Sequence, residues 1–531
     1  MTAIVAERRD AHGSRSWAWL ALGLYALIAS ATIARHEMWR DEMHAWQAVV
    51  ASDSLMELAS NVRTEGHPGL WFAVLYPVSR VTSDPRAMQV VHLAIAITAA
   101  AVVLLAAPVP IGWRVLFVAG YFPLYEYCAI SRNYALGALL LFTFCALYGA
   151  RVRRPLLLAA VLFLLAQASA VALILSFSLG VMCIAHARSS RLEAPIRRGP
   201  ALAALGVWLL GIVVSVVQLS GARVVLQSFD HSQTLAQSRV LGVLSGPWRG
   251  CVPLPRLQLT FWNSNILDGV ANADVLQAVL GAVVLVVLAS LFVRCGPALA
   301  LFAVGSLGMV AFSLLIYRGQ LRHHGHIVLL LMAALWLTRV LQPGEGGRGN
   351  AAGAVGGPLP WGAVVVSVLL AANAAAGAYA VAREWRDPFS AGREVADFIR
   401  AQGLAGIPIV GHRDVQVAAV AGYLERPIHY PSLGREAAFL PWKVGWRRPV
   451  DDAEAIRQAR DLAARQHSEV LVILSMSGTR RPDRIDGATR IRAFHRSIVP
   501  SERFEPYLVP RPEPADLSSG AAPDSGPVPR G

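Results

Sequence analysis

Between residues 36 and 72 the chain carries His36-Glu37-Met38-Trp39-Arg40-Asp41-Glu42-Met43-His44-Ala45-Trp46 and then Glu65-Gly66-His67-Pro68-Gly69-Leu70-Trp71-Phe72. Carboxylates, imidazoles and a guanidinium crowd among tryptophans just past an apolar run. Ionisable groups at a membrane boundary are costly to keep and usually functional. An acid so placed can take the proton from an acceptor hydroxyl as it attacks. Two later clusters, Arg132-Asn133-Tyr134 and Arg322-His323-His324-Gly325-His326, have the chemistry to hold a phosphate and stabilise it as it departs. Asp41 and Glu42 are therefore the candidate catalytic acids. Glu65, His67, Arg132, Tyr134, Arg322, His323 and His324 are the candidate substrate-binding residues.

Each of these residues also has a plainer role. Asp41 is well placed to cap a helix, since acids favour helix starts and 42–51 has helical spacing. Glu42 can share the proton-transfer role or tune its neighbour, because adjacent like charges raise one pKa. Glu65 and His67 can simply fix the loop before Pro68, and Arg132 can snorkel to the interface without a ligand. His323, His324 and His326 invite a zinc site, but no Cys or Glu accompanies them at ligand spacing, so no metal is assigned. Trp39, Trp46 and Trp71 are belt aromatics first and ligand-stacking surfaces second. Gly411-His412-Arg413-Asp414 follows a short strand pattern as turn material and receives no chemistry.

The elements that position these groups are mostly membrane helices. Of 531 residues 55% are hydrophobic and 15% charged, with mean hydropathy +0.48, whereas soluble domains carry about 25% charged residues. The net charge of +14 would suit nucleic acid in a soluble protein. Here the excess lies in short loops between apolar runs, where it sets topology, and no nucleic-acid partner is implied. Residues 1–16 form a cytoplasmic N-terminus, and 17–34 is long enough to span and lacks a small-residue cleavage site, so it stays as an anchor. Five scattered cysteines are packing residues rather than a disulfide framework.

Reading the arginines as cytoplasmic gives about eleven transmembrane helices, with external loops at 35–85, 125–134, 220–274 and 317–326. Residues 70–78 are too short to cross and form an amphipathic or re-entrant segment in the first loop. The run 156–187 is too long for one span and turns near Gln167-Ala168-Ser169. A Gly-rich cytoplasmic linker at 342–358 precedes the last span at 359–381. From 382 to 500 the pattern alternates helix and strand, which predicts a small external α/β domain. Residues 501–531 form a Pro/Gly/Ser-rich tail predicted to be disordered. The expected fold class is an α-helical integral membrane protein with amphipathic juxtamembrane helices and this C-terminal domain.

The motifs, in this order and on one predicted face, resemble the C-type glycosyltransferase superfamily, in particular the group related to protein O-mannosyltransferases and the bacterial lipid A aminoarabinose transferase. That family has an acidic Asp-Glu pair in its first external loop, matched by Asp41-Glu42. A Glu/His-Pro-Pro-Leu-Tyr-Tyr-like segment follows, matched from Glu65 to Phe72 with Gly69 in place of the second proline. Ser131-Arg132-Asn133-Tyr134 is a shortened form of its Ser-Arg-x-x-x-Tyr segment. The resemblance covers 17–341. It implies an inverting transfer from a sugar on a polyprenyl phosphate to a glycan, lipid or protein acceptor, at the external face of a bacterial inner membrane. It requires no cofactor, although some members use a divalent metal. Two other classes fit the composition. A flippase for lipid-linked sugars predicts ionisable groups deep in several spans and an internal repeat, and a non-catalytic envelope-assembly protein predicts that Asp41 is dispensable.

Overall fold

The computed structural model describes residues 2–189, 198–229, 237–342, 360–440, 450–476 and 481–512. Residues 343–358 of the linker and 513–531 of the tail lie outside the described residues; the tail expected from 501 instead begins as part of the C-terminal domain, because Phe504–Val509 pairs along its length with Val470–Ser475. The chain is mostly helical. Among the described residues eight helices are long and apolar enough to cross a membrane: Arg15–Arg35, Arg86–Ala106, Ala170–Ser189, Arg198–Gly221, Ala273–Ser290, Gly296–Leu315, Leu321–Leu341 and Trp361–Glu384.

The other three of the eleven expected spans fall on shorter helices. Residues 115–124 divide between Ile111–Val118 and a π-helical turn at Tyr121–Glu126, where Pro123 lacks a backbone donor. Tyr134–Leu147 and Pro155–Ala166 have 14 and 12 residues, roughly 21 and 18 Å at 1.5 Å per residue, against a hydrocarbon core of about 30 Å. The long apolar run divides at Gln167–Ser169, between Pro155–Ala166 and Ala170–Ser189.

The segment after Arg198–Phe229 contains more helix than its scattered Pro, Trp and Asn suggest. Gln237–Leu244 and Gly246–Cys251 pack against Ala273–Ser290 so closely that a Cβ on Gly281 would lie 2.1 Å from the Leu244 carbonyl oxygen. Trp262 wedges between Trp39 and Phe389, with ring centroids 4.8 and 5.2 Å away.

The first loop folds into three short helices, Arg40–Val50, Leu55–Asn61 and Leu70–Ser79. The first is buried from Glu42 to Val49, although its sequence is amphipathic, and the C-terminal domain packs on it at Met43, beside Gly422, and at Gln47, which donates to the Ala418 carbonyl at 3.2 Å. That domain has a seven-stranded mixed sheet: β1 (Ile409–His412), β2 (Ile428–Tyr430), β3 (Arg435–Ala437), β4 (Val470–Ser475), β5 (Arg484–Ile485), β6 (Ala488–Arg490) and β7 (Phe504–Val509). The order is β3-β2-β1-β4-β7-β6-β5, with β1 parallel to β2 and β4 and the remaining pairings antiparallel.

Helix Asp452–Gln466 covers one face of the sheet, and Gly392–Ala401 and Asp414–Leu424 cover the other. The second layer continues without a break into Met38, Met43, Trp46 and Trp71 of the first loop. Polar contacts fasten the same seam. The Met38 N–H donates to the Tyr423 hydroxyl at 2.7 Å, and Arg393 Nη2 donates to the His36 carbonyl at 2.8 Å.

Candidate functional site

Asp41 is the second residue of helix Arg40–Val50, so its backbone N–H needs no intrahelical acceptor. The cap position belongs to Trp39, and the Asp41 side chain does not cap. Its Oδ2 instead pairs with Arg132 Nη1 at 2.9 Å and accepts from Arg322 Nη2 at 3.4 Å, and Arg40 Nε lies 3.6 Å from Oδ1. Burial alone would raise the carboxyl pKa, but the guanidiniums of Arg132, Arg322 and Arg40 outweigh it and hold it down at about 2. Asp41 is thus an ionised carboxylate at any physiological pH, and on its own a weak base.

The guanidiniums arrive from distant parts of the chain. Arg132 sits on the turn before helix Tyr134–Leu147. His92, from helix Arg86–Ala106, lies within 3.1 Å of the Cys128 carbonyl and 3.0 Å of the Arg132 carbonyl, which fixes that turn. Arg322 sits in the single turn Leu321–His324. Its Nη1 donates to Gln320 Oε1 at 2.7 Å, and its guanidinium lies over the rings of Trp39 and Trp262 at 5.6 and 5.8 Å. Arg322 Nε is buried with no hydrogen-bond partner.

Around this cluster runs a cavity of about 230 Å³, to which Asp41, Glu65, His67, Arg132, Tyr134, Arg322 and His323 all contribute wall. Arg132 Nη2 donates to His67 Nε2 at 3.2 Å, so the His67 proton resides on Nδ1, a buried atom with no partner. Burial, reinforced by Arg132 and Arg322, pushes the His67 pKa down to about 3, and the ring is neutral. The Gln320 N–H donates to His323 Nδ1 at 2.9 Å, leaving His323 Nε2 to donate to the Tyr134 hydroxyl at 3.2 Å.

On the far wall Glu65 Oε1 lies 2.6 Å from His44 Nε2. The His44 ring also packs on Phe439 of the C-terminal domain at 5.0 Å, and Val415 of that domain lines the same cavity.

Two expected site residues lie elsewhere. Glu42 follows Asp41 by one residue and so points about 100° around the helix. It is fully buried and outside the cavity wall. Its Oε1 accepts the Ser131 N–H at 2.5 Å, and its Oε2 takes the Trp39 N–H at 3.2 Å and lies 2.9 Å from His36. Glu42 therefore fastens the Arg132 turn to the first loop. His324 points away from Arg322 and His323 and packs on helix Gly246–Cys251, where a Cβ on Gly250 would meet its carbonyl oxygen at 2.4 Å.

Sequence reasoning also missed residues that shape the site. His44 lay inside the motif stretch but in no motif. Tyr317 lines the cavity, and its neighbourhood to Arg322 was the available signal. Glu384, at the end of the last long helix, lies 2.9 Å from His36 Nδ1 and gave no sequence signal at all.

The arrangement offers an anion site made of Arg132 and Arg322, a carboxylate at that site and a polar far wall. Asp41 is turned to guanidiniums, and among the described residues no three His, Cys, Asp or Glu side chains gather as ligands.

No family model matches the chain and no curated protein matches it. Among solved structures it is similar to the crystal structure of ArnT from Cupriavidus metallidurans bound to undecaprenyl phosphate. The TM-score is 0.48 and the identity 11%, over 93% of this chain and 98% of that one. A likeness this remote adds nothing to the chemistry, which rests on the cavity itself.

Proposed function

We propose that this protein is a membrane glycosyltransferase that moves a sugar from a polyprenyl phosphate to an acceptor hydroxyl at the external face of a bacterial inner membrane. The observation that carries the reading is the convergence of Arg132 and Arg322 on Asp41 within one cavity, at one end of a bundle of apolar helices. Guanidiniums suit a phosphate by charge and by their paired N–H geometry. Helices of membrane length suit a donor carried on an isoprenoid chain.

In this reaction Asp41 takes the acceptor proton as the acceptor oxygen bonds to the anomeric carbon. The bond from that carbon to the phosphate oxygen breaks on the opposite side, inverting the centre, and its electron pair leaves on the phosphate. Arg132 and Arg322 stabilise that charge as it develops. His67 and the Tyr134–His323 pair line the donor side, and Glu65 with His44 lines the side open to an acceptor. Orientation follows from charge. Arg151, Arg153, Arg154, Arg188, Arg294 and Arg339 lie at helix ends away from the cavity, and such clusters stay cytoplasmic.

The test compares a deletion strain carrying the wild-type protein with one carrying Asp41→Asn at equal protein level, reading lipid-linked sugars and envelope glycans by mass spectrometry. One glycan losing a sugar in the Asp41→Asn strain, with its polyprenyl-phosphate donor accumulating, is the expected outcome. Full restoration of that glycan by Asp41→Asn removes Asp41 as base.

A further inference from the structure

Arg132 and Arg322 are already engaged, and what engages them is the base itself. Both guanidiniums meet on the same atom, Asp41 Oδ2, at 2.9 and 3.4 Å. The second nitrogen of each is also committed, Arg132 Nη2 to His67 and Arg322 Nη1 to Gln320. The Asp41 carboxylate thus occupies the place an anionic ligand would take.

Two residues of the same cavity wall each keep an unused donor. Arg322 has a tenth of its side chain exposed, lines the cavity, and keeps Nε without a partner. His67, also in the wall, keeps Nδ1 without one. A carboxylate has two oxygens, and a phosphate brings more acceptors to the same donors.

We propose that Asp41 and the phosphate of the lipid donor compete for Arg132 and Arg322, so that donor binding is what releases Asp41 to act as a base. This rests on the transferase reading above and adds an order to it. In the free protein Asp41 is masked. The entering phosphate draws the two guanidiniums away, and the freed carboxylate then sits beside a phosphate anion, which raises its affinity for a proton.

Transfer moves the acceptor proton onto Asp41, and the neutral carboxyl no longer competes with the polyprenyl phosphate left behind. When that proton passes to solvent, the carboxylate regains its charge and displaces the lipid product from the arginines. Every charge on the path returns to its starting place.

The competition predicts an effect opposite to that of an ordinary binding-site mutation. The experiment uses the purified full-length protein in lipid nanodiscs. A short-chain polyprenyl phosphate is titrated and followed through intrinsic tryptophan fluorescence, with the matching polyprenyl alcohol as control. Wild type is expected to prefer the phosphate over the alcohol. Asp41→Asn and Asp41→Ser, which both remove the competing charge, are expected to bind the phosphate on the order of tenfold more tightly, as loss of a charge-assisted contact of this kind implies. Asp41→Glu is expected to stay near wild type, and Arg322→Gln to lose the preference.

Equal or weaker phosphate binding by both neutral variants, as monodisperse as wild type, overturns the competition while leaving the donor reading intact. A wild type that does not distinguish phosphate from alcohol overturns the donor reading and the competition with it.

Discussion

Adjacent acids on one helix have different fates because each residue turns the side chain about 100°. Asp41 faces the cavity, and Glu42 faces inward onto the Ser131 N–H and His36. His36 shows how tightly that interior is charged. Burial favours its neutral ring, yet Glu42 and Glu384, each 2.9 Å from one of its nitrogens, overcome burial and raise its pKa to about 10. A pKa raised above the unfolded value of about 6.5 stabilises the fold fully below that pH and loses its contribution as pH climbs toward 10. Thermal unfolding of the purified protein should therefore shift downward between pH 7 and 10. Glu384→Gln should flatten that slope, and an unchanged slope would remove His36 as its source.

At the scale of elements, the site depends on short pieces held by close approach. The turn Leu321–His324 carries Arg322 and His323, and helix Gly246–Cys251 backs it. Gly250 lies where a Cβ would come 2.4 Å from the His324 carbonyl oxygen, and backbone cannot yield there as a side-chain tip could. Gly250→Ala should cost roughly 1–3 kcal/mol, in the range of overpacked sites, and should misplace Arg322. Unfolding temperature and polyprenyl phosphate affinity measured on the same preparation check this. Wild-type affinity together with wild-type stability would show that the helix does not brace the turn. The helix Arg40–Val50 was legible from its acids and spacing, since first-turn acids favour a helix start. The helices of the 220–274 segment were not, because its Pro, Trp and Asn content obscures a pattern that only packing on Ala273–Ser290 completes.

For the whole molecule, the proposed orientation sets the cavity and the α/β domain outside and the arginine-rich ends inside. Arg435 is exposed on β3 and Arg153 is exposed at the opposite helix ends. In intact cells an impermeant thiol reagent should label Arg435→Cys and spare Arg153→Cys, with the wild type as the control for native cysteines. Labelling only Arg153→Cys would invert the topology and place the cavity in the cytoplasm.

The sequence by itself determined that this chain is a membrane protein, because burying so many apolar residues with so few charges in water has no globular solution. It also singled out Asp41, Glu42, Glu65, His67, Arg132, Tyr134, Arg322, His323 and His324, of which all but Glu42 and His324 line one cavity. Tertiary structure alone decided which of them meet. Arg322 reaches Asp41 across 281 positions, Glu384 reaches His36 across 348, and Phe439 comes from the C-terminal domain to press on His44. Contacts of that separation leave no local period or spacing in the chain. They arise when helices too short to span and a sheet domain above them find the one packing that buries the apolar seam from Met38 to Val417.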